Sequence, residues 1–246
     1  MGKDRLGINV NLEYMKKFEG KNFVTRETET RKLGYAQEFK DWIKQNPGVI
    51  KRFLEALNSG EIDRTLSTNK PFRIGDATIT LAELYPNRRG PRFKLRLGDK
   101  AFFIKIEKKV PDNLKFQYGY EEFLSTQKAR ELLEEVPNVE VCDFQLGYQD
   151  DKFNIFVSIW IDLPRLDIYM DRLRFKAEGL EPVAMEEFKT IKTTLKKIYQ
   201  ILLPPLVSIA QRRKTEGYGD IREGNMFYDP QTKKIILFDL AETKYW

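Results

Sequence analysis

The pattern of apolar positions changes near residue 70 of this chain. Before that point, apolar residues recur every three or four positions, over 35–43 and again over 49–57. Helix-ending turns follow both runs, at Asn46-Pro47-Gly48 and at Asn58-Ser59-Gly60. The spacing predicts two amphipathic helices, and we interpret residues 1–70 as a helical extension.

After residue 70 the pattern becomes the alternation of apolar and polar residues that is typical of half-buried strands. It predicts three strands joined by the loop 85–91 and the turn 98–100, then a helix and two further strands. The predicted strands cover 79–84, 93–97 and 101–107, the helix covers about 118–135, and the later strands cover 141–146 and 153–161. This order predicts an antiparallel meander followed by a helix and a strand pair.

The remaining residues predict a mostly helical segment that ends in a hairpin. A short helix after Pro164 precedes a long helix over about 185–213, and strands at 226–228 and 235–239 close the chain. We expect an α+β protein with two lobes, a sheet lobe over 71–162 and a small helical lobe over 163–246.

The residue counts exclude several kinds of chemistry. The 246 residues include no histidine and a single cysteine, Cys142. Ser-His-Asp and Cys-His nucleophile systems, histidine-based zinc sites, disulfides within the chain and CxxC centres are therefore excluded. Carboxylates, lysines, hydroxyls and a hard metal ion remain available.

Positive charge is concentrated in the sheet segment. Residues 71–120 contain eleven Lys or Arg against five Asp or Glu, while the whole chain has a net charge of +6. The basic strip runs from Arg73 to Lys115 and includes Arg88, Arg89, Arg92, Lys94, Arg96, Lys100 and Lys105. It is either a solvated sheet face or a surface that binds nucleic acid, a ribonucleoprotein or a polyphosphate.

Targeting signals are not recognisable in the sequence. No apolar signal segment follows Met1, and no apolar stretch reaches the ~20 residues that cross a bilayer. We expect no membrane partner and a cytoplasmic location, although a protein delivered into a host cell has the same features.

The strongest chemical motif is the loop Gly219-Asp220-Ile221-Arg222-Glu223-Gly224-Asn225, which the terminal hairpin follows up to Asp239. Four residues separate Asp220 from Asn225, and the hairpin is expected to return Asp239 beside them. Two carboxylates and an amide oxygen suit Mg²⁺, which prefers hard oxygen ligands. A plain turn rich in Asp and Asn is the structural alternative.

These residues resemble the protein-kinase-like superfamily. Its catalytic loop has the form H-x-D-x-x-x-x-N and is followed by a hairpin that ends in a metal-binding Asp. The loop here resembles the variant found in aminoglycoside phosphotransferases, RIO-type kinases and other atypical kinases, with Tyr218 in place of the usual His. The resemblance covers about residues 77–242.

The resemblance implies roles for particular residues. Asp220 would be the catalytic base, and Asn225 and Asp239 would hold Mg²⁺ on the phosphates of ATP. Lys105, on the third strand of the meander, would bind those phosphates and would pair with a glutamate on the next helix. Glu122 is the favoured partner, with Glu121 as the alternative.

The same resemblance implies a nucleotide site around Lys105. Phe103 shares a strand face with Lys105 and would stack on the adenine or block it. Arg89 and Gly90 stand where the family has a glycine-rich phosphate loop. The segment 159–162, with Trp160 and Ile161, would contact the adenine from the end of the fifth strand, and Phe227 would form the floor.

The departures from the family keep other functions open. The first two strands are not joined by a G-x-G-x-x-G loop, Phe103 replaces a small residue, and the seven residues after Asp239 leave no room for an activation segment. We therefore expect a minimal kinase with a truncated C-lobe, most simply an ATP- and Mg²⁺-dependent protein Ser/Thr kinase. The alternatives are a pseudokinase or nucleotide-regulated binding module, a small-molecule kinase, and a nucleic-acid-associated kinase-like protein.

Overall fold

The computed structural model describes most of the chain. The described residues are 12–18, 21–28, 31–68, 70–82, 92–108, 119–150, 153–179, 181–211 and 221–240. No helix in this part of the chain is both long enough and apolar enough to span a membrane.

Ten strands precede the terminal hairpin in the described residues, and nine of them form one antiparallel sheet. The bounds are β1 Leu12–Phe18, β2 Lys21–Glu27, β3 Lys32–Ala36, β4 Phe72–Ile74, β5 Ala77–Leu81, β6 Arg92–Leu97, β7 Lys100–Lys108, β8 Val139–Val141, β9 Phe144–Gln149 and β10 Phe153–Ile159. The order in the large sheet is β1-β2-β3-β9-β10-β7-β6-β5-β4.

Six α-helices and a second, smaller sheet complete the described structure. The helices are α1 Gln37–Gln45, α2 Pro47–Asn58, α3 Glu61–Leu66, α4 Tyr120–Leu133, α5 Leu166–Glu178 and α6 Pro182–Gln211. The hairpin β11 Met226–Asp229 and β12 Lys234–Leu237 is joined by β8, which pairs in parallel with β12.

The structure divides into two compact units. The first contains the nine-stranded sheet, helices α1 to α3 and the first turn of α4. The second contains the rest of α4, the three-stranded sheet, α5 and α6. Whether the predicted segments 1–70, 71–162 and 163–246 fold as separate domains stays a prediction.

The prediction that residues 1–70 form a helical extension was wrong for its first half. Residues 12–36 contribute three strands, and β3 pairs with β9 so that they extend the large sheet. Helical spacing was visible only over 35–57, where α1 and α2 do form. Asn46 ends α1, and Pro47 begins α2, where its fixed φ and missing N–H suit the first helical position.

A second prediction, of one strand over 141–146, was also wrong. The chain leaves β8 at Val141 and enters β9 at Phe144, and the two strands belong to different sheets. The backbone N–H of Cys142 still bonds to Leu237 O, whereas the carbonyl of Asp143 accepts from Ile159 N. The segment predicted as one strand therefore contributes to two sheets in succession.

One face of the large sheet packs on helices α1 to α3. Phe102 lies against Trp42 and Phe39, with ring centroids 4.7 and 5.3 Å away. Phe53 contacts Phe93 edge to face at 6.3 Å. These side chains are all buried, so the alternate residues of β6 and β7 must project from the opposite face.

The first turn of α4 packs on that opposite face, where three glycines leave room for it. The Phe123 ring packs where a side chain at Gly34 or Gly147 would otherwise lie, and it contacts Phe144 edge to face at 4.8 Å. Gly119, with φ of 77°, lies so close to β9 that an added Cβ would be 2.4 Å from Tyr148 O. The glycines allow the helix to begin directly on the sheet.

The second unit has its own hydrophobic core. Apolar residues of α4, α5, α6 and the three-stranded sheet are buried together, among them Leu133, Leu166, Ile198, Met226 and Leu237. Glu187 on α6 accepts hydrogen bonds from the hydroxyls of Tyr169 and Tyr228, at 3.0 and 2.9 Å. Burial, together with the bond to Glu187, raises the pKa of Tyr169 to about 12.

Replacement of Gly147 tests the close approach of α4. In Gly147→Ala the new Cβ would lie 2.3 Å from Phe123 Cβ and 2.7 Å from Gly119 O. We expect the free energy of unfolding to fall by roughly 1–3 kcal/mol, the usual cost of overpacking, as measured by urea denaturation.

The control is Gly48→Ala in the first turn of α2, where nothing lies within 4 Å of the added Cβ. It should be neutral or stabilising by about 0.4–1 kcal/mol. Equal stability of the Gly147→Ala protein and the native protein would show that α4 does not begin against the sheet as described.

Candidate functional site

A buried ion pair lies at the centre of the first unit. Lys105 on β7 is only 2% exposed, and its Nζ lies 3.1 Å from Oε2 of Glu122 in the first turn of α4. Glu122 has no exposed surface. The contact predicted between these two residues is present, while its role in nucleotide binding stays a prediction.

Strand register and helix position together produce this contact. Lys105 lies opposite Phe156 of β10 and Arg92 of β6, on the sheet face that receives α4. Phe123, the residue after Glu122, is fixed against Gly34 and Gly147. Glu122 is therefore held over β7, whereas the side chain of Glu121 lies outside the described residues.

The pair is a costly element of a small fold. Removing two charges from water costs several kcal/mol per ion, and their attraction offsets that cost only when the geometry is good. Apolar residues of similar volume would often give equal or better stability. A buried pair of this kind is therefore better explained by a function of the ammonium group than by stability.

Three further residues of the predicted nucleotide site lie on β7 or directly after β10. Phe103 is half-buried on the same face as Lys105 and lies opposite Lys94 of β6. Trp160 follows β10, and its backbone N–H donates to Ala101 O at 2.8 Å. Ile161, directly after Trp160, is half-buried and belongs to the second unit.

Lys94 belongs to the basic strip of the sequence but not to the predicted nucleotide site, whereas the structure places it beside Phe103. Its Nζ lies 4.2 Å from the centre of the Trp160 ring, a cation–π contact. The strand alternation in Phe93-Lys94-Leu95 already placed Lys94 on the polar face. What the sequence did not provide was the register that sets Lys94 beside Phe103, because register depends on the partner strand.

In the second unit, the terminal hairpin brings the backbone of Asn225 close to that of Asp239. Met226 of β11 pairs with Leu237 of β12, and the Phe238 N–H donates to Asn225 O at 3.1 Å. Asp239 therefore directly follows the residue bonded to Asn225, in the left-handed region with φ of 56°. Asn225 is buried and Asp239 is half-buried.

The segment before Asn225 is fixed by neighbouring helices. A short 3₁₀ turn covers Glu223–Asn225, and the Glu223 carboxylate lies near Tyr199 of α6. Burial, with the negative charge of Glu223, raises the pKa of Tyr199 above its usual value. The loop thus lies against α6 at the residue two before the predicted metal ligand.

Arg165 marks the other side of the same loop. It binds Asp167 through two hydrogen bonds of 3.1 and 2.5 Å, and a Cβ added at Gly224 would lie 3.3 Å from Arg165 Nη2. Burial opposes the ionised form of Asp167, but the hydrogen bonds from Arg165 and from the Ile168 N–H, together with the charge of Arg165, outweigh it, and the pKa of Asp167 is lowered. Gly224 thus lies beside a guanidinium group, where a side chain would be crowded.

Phe227, predicted as the floor of the nucleotide site, is half-buried on β11. Its ring stacks on Phe238 with centroids 4.5 Å apart, and its backbone forms a bridge with Arg165. The ring thus covers the end of the hairpin from which Asn225 and Asp239 extend.

Three predicted site residues lie outside the described residues: Asp220, Arg89 and Gly90. Within the described ranges, no group of three or more His, Cys, Asp or Glu side chains is arranged to hold a metal ion. The roles predicted for Asp220, for the loop 85–91 and for the metal ligands therefore stay predictions.

No protein-family model matches the chain, and no curated protein matches it in sequence. Solved structures that resemble it include the BubR1 kinase domain, which is 14% identical over 79% of this chain and 59% of that one, with a TM-score of 0.36. The Cydia pomonella granulovirus kinase PK-1 is 14% identical over 76% of this chain and 56% of that one, with a TM-score of 0.34.

A third similar structure is spectinomycin phosphotransferase APH(9)-Ia in complex with ADP and spectinomycin. It is 12% identical over 73% of this chain and 68% of that one, with a TM-score of 0.32. The chain thus spans well under two thirds of the length of the first two structures.

The structures found are protein kinases and phosphotransferases. The predicted α+β class is confirmed by the described helices and the nine-stranded antiparallel sheet of this chain. The helical extension is the part of that prediction that β1 to β3 correct. That the fold is kinase-like stays a prediction.

A double-mutant cycle tests whether Lys105 and Glu122 act as one unit. Lys105→Met and Glu122→Gln should each lower the free energy of unfolding by roughly 3–5 kcal/mol, because each removes one partner of a buried ion pair. The double variant should lose less than the sum by about 0.5–3 kcal/mol, measured by urea denaturation.

Glu134→Gln removes an exposed carboxylate just after the same helix and serves as the control. Its effect should add to that of Lys105→Met. If the losses of Lys105→Met and Glu122→Gln were also additive, the two side chains would not form the pair described.

Proposed function

We propose that this protein is an ATP-dependent phosphotransferase in which Lys105 binds the nucleotide phosphates. The observation that carries the proposal is the buried pair between Lys105 and Glu122 at 3.1 Å. A buried ammonium group that is hydrogen-bonded to a buried carboxylate has a fixed position and direction. Such a group can hold an anionic phosphate chain in place without reorganisation during the reaction.

Mg²⁺ is the metal that the proposal requires, and the chain offers suitable donors for it. Asn225 supplies an amide oxygen and Asp239 a carboxylate, both of the hard type that Mg²⁺ prefers, and the hairpin holds them at one end of β11 and β12. When bound, the ion would neutralise charge on the phosphates. Asn225, fixed by its backbone bond to Phe238, would orient that ion.

Asp220 is the proposed base toward the acceptor. In the proposed reaction an acceptor hydroxyl oxygen forms a bond to the γ-phosphorus, the bond to the bridging oxygen breaks, and ADP leaves. Asp220 takes the hydroxyl proton. We propose a Ser or Thr hydroxyl of a protein as the acceptor. A hydroxyl of a small molecule is the alternative acceptor.

A pseudokinase that acts as a binding module is the second candidate, and one observation favours it. Phe103 and Lys94 are large side chains that lie side by side next to Lys105, and Lys94 already contacts the Trp160 ring. If these groups fill the volume of the adenine, the chain would bind ATP weakly or not at all. If Phe103 stacks on the base, the contact is worth ~1 kcal/mol.

Incubation with γ-labelled ATP and Mg²⁺, with a mixture of proteins as acceptors, tests the proposal. We expect transfer of label by the native protein, and a rate lower by about 10²–10⁴-fold in Asp220→Ala, the usual contribution of a positioned base. ATP should still raise the Tm of Asp220→Ala, because the base does not hold the nucleotide. Glu134→Gln is the matched control and should retain full activity.

Phe103→Ala separates the two candidates in the same assay. Weaker ATP binding in this variant supports stacking and the enzyme. An inert native protein that gains ATP binding or transfer on Phe103→Ala would show that the ring is a plug and that the native protein is a binding module. Transfer unaffected within about threefold in Asp220→Ala would contradict the assigned base.

A further inference from the structure

The basic strip of the sequence lies on one face of the strands β4 to β7. Arg73 lies opposite Thr78, and Thr78 lies opposite Arg96. Lys94 lies opposite Thr80 on one side and Phe103 on the other. Because opposed residues point to the same side of a sheet, these side chains share the face of Lys105.

The other face of the same strands is apolar and covered. Ile79, Leu95 and Phe102 are each at most 2% exposed, and Phe102 lies against Trp42 of α1. The charges therefore do not result from a generally polar sheet. The cations and threonines of β4 to β7 lie on one side of the sheet, and the buried apolar side chains lie on the other.

Two cations of this face lie away from the buried pair and are exposed. Arg73 and Arg96 form no ion pair with any described residue. Glu107 is the one acidic residue in the described strands β4 to β7, and it is 7% exposed at the far end of β7. Exposed cations such as Arg73 and Arg96, gathered on one surface, attract an anionic ligand.

The area of this face exceeds what one nucleotide needs. Arg92, Lys94 and Arg96 alternate along β6 at intervals of roughly 7 Å, and three strand spacings of about 4.8 Å each separate Lys105 on β7 from Arg73 on β4. Arg73 and Arg96 lie toward the edge strand, away from the buried pair. A ligand that contacts all of them must be an extended polyanion.

Aromatic side chains lie among the cations. Phe103 is half-buried beside Lys94, and the Trp160 ring lies under the Lys94 ammonium. A cationic surface that carries aromatic rings is the arrangement that binds single-stranded nucleic acid, because each base can stack on a ring while the backbone meets the charges. A duplex would offer the phosphates but keep its bases out of reach.

We propose that this cationic face, defined by Arg73, Arg92, Lys94 and Arg96 with Phe103 and Trp160, binds single-stranded nucleic acid. The proposal goes beyond the phosphotransferase activity. It depends on Arg73 and Arg96, to which the proposed nucleotide site assigns no role. The two can therefore succeed or fail separately.

Fluorescence anisotropy with a labelled oligouridylate of about 15 nucleotides, within the ~4–16 that one binding fold covers, tests it. We expect saturable binding whose log affinity falls with log salt at a slope of about −2.8, since roughly four phosphates, one for each cation of the face, contribute about −0.7 each. In Arg73→Glu/Arg96→Glu the affinity should fall by about tenfold or more, and the slope should become about −1.4.

The matched control is Lys44→Glu/Lys51→Glu, which makes the same change in net charge on α1 and α2, the helices that cover the other face. It should change affinity by less than about threefold. Thermal unfolding of each variant, with and without ATP and Mg²⁺, shows that both fold and that the ATP effect is the same in both.

Three results would overturn the proposal. The first is the absence of saturable binding by the native protein. The second is an equal loss in the two double variants, which would mean that net charge alone attracts the oligonucleotide. The third is equal affinity for a duplex of the same length, or equal competition by polyglutamate, because then neither bases nor a nucleic-acid backbone would be recognised.

Discussion

The close contact between the first turn of α4 and the large sheet is the constraint on which the candidate site depends. Phe123 can lie against the strands only because Gly34 and Gly147 carry no side chain, and Gly119 begins the turn almost in contact with Tyr148 O. With the helix this close to the sheet, Oε2 of Glu122 lies 3.1 Å from Nζ of Lys105. A helix displaced outward by one methyl group would leave two charged groups buried without each other, which costs several kcal/mol.

Each unit contributes chemistry of a different kind. The first unit presents cations, Lys105 in the interior of a sheet face and the arginines toward its edge. The second presents oxygen donors, Asn225 and Asp239, at the end of a hairpin whose preceding turn lies against α6. Cations that bind phosphate and oxygens that bind Mg²⁺ are complementary requirements of phosphoryl transfer, which is why we favour that reaction.

The sequence predicted those parts of the fold that local pattern determines. Alternation located β6 and β7 and placed Lys105 opposite the apolar side, and the loop motif located the hairpin that carries Asn225 and Asp239. It did not predict β1 to β3, which are strands because they pair with β9, nor the division of 141–146 between two sheets. The pairing of Lys94 with Phe103 and the glycine contacts of Phe123 depend on register and on distant segments, which a local pattern does not contain.

Nitrogen-15 NMR of the Lys105 ammonium group, assigned with Lys105→Met and titrated with ATP and Mg²⁺ or with adenosine, tests the central claim most directly. If Lys105 binds the nucleotide phosphates while Glu122 holds it, the Nζ resonance should shift with ATP and with ADP and stay in place with adenosine. A resonance that does not move at saturating ATP, or that moves equally with adenosine, would contradict the assignment of this buried pair to phosphate binding.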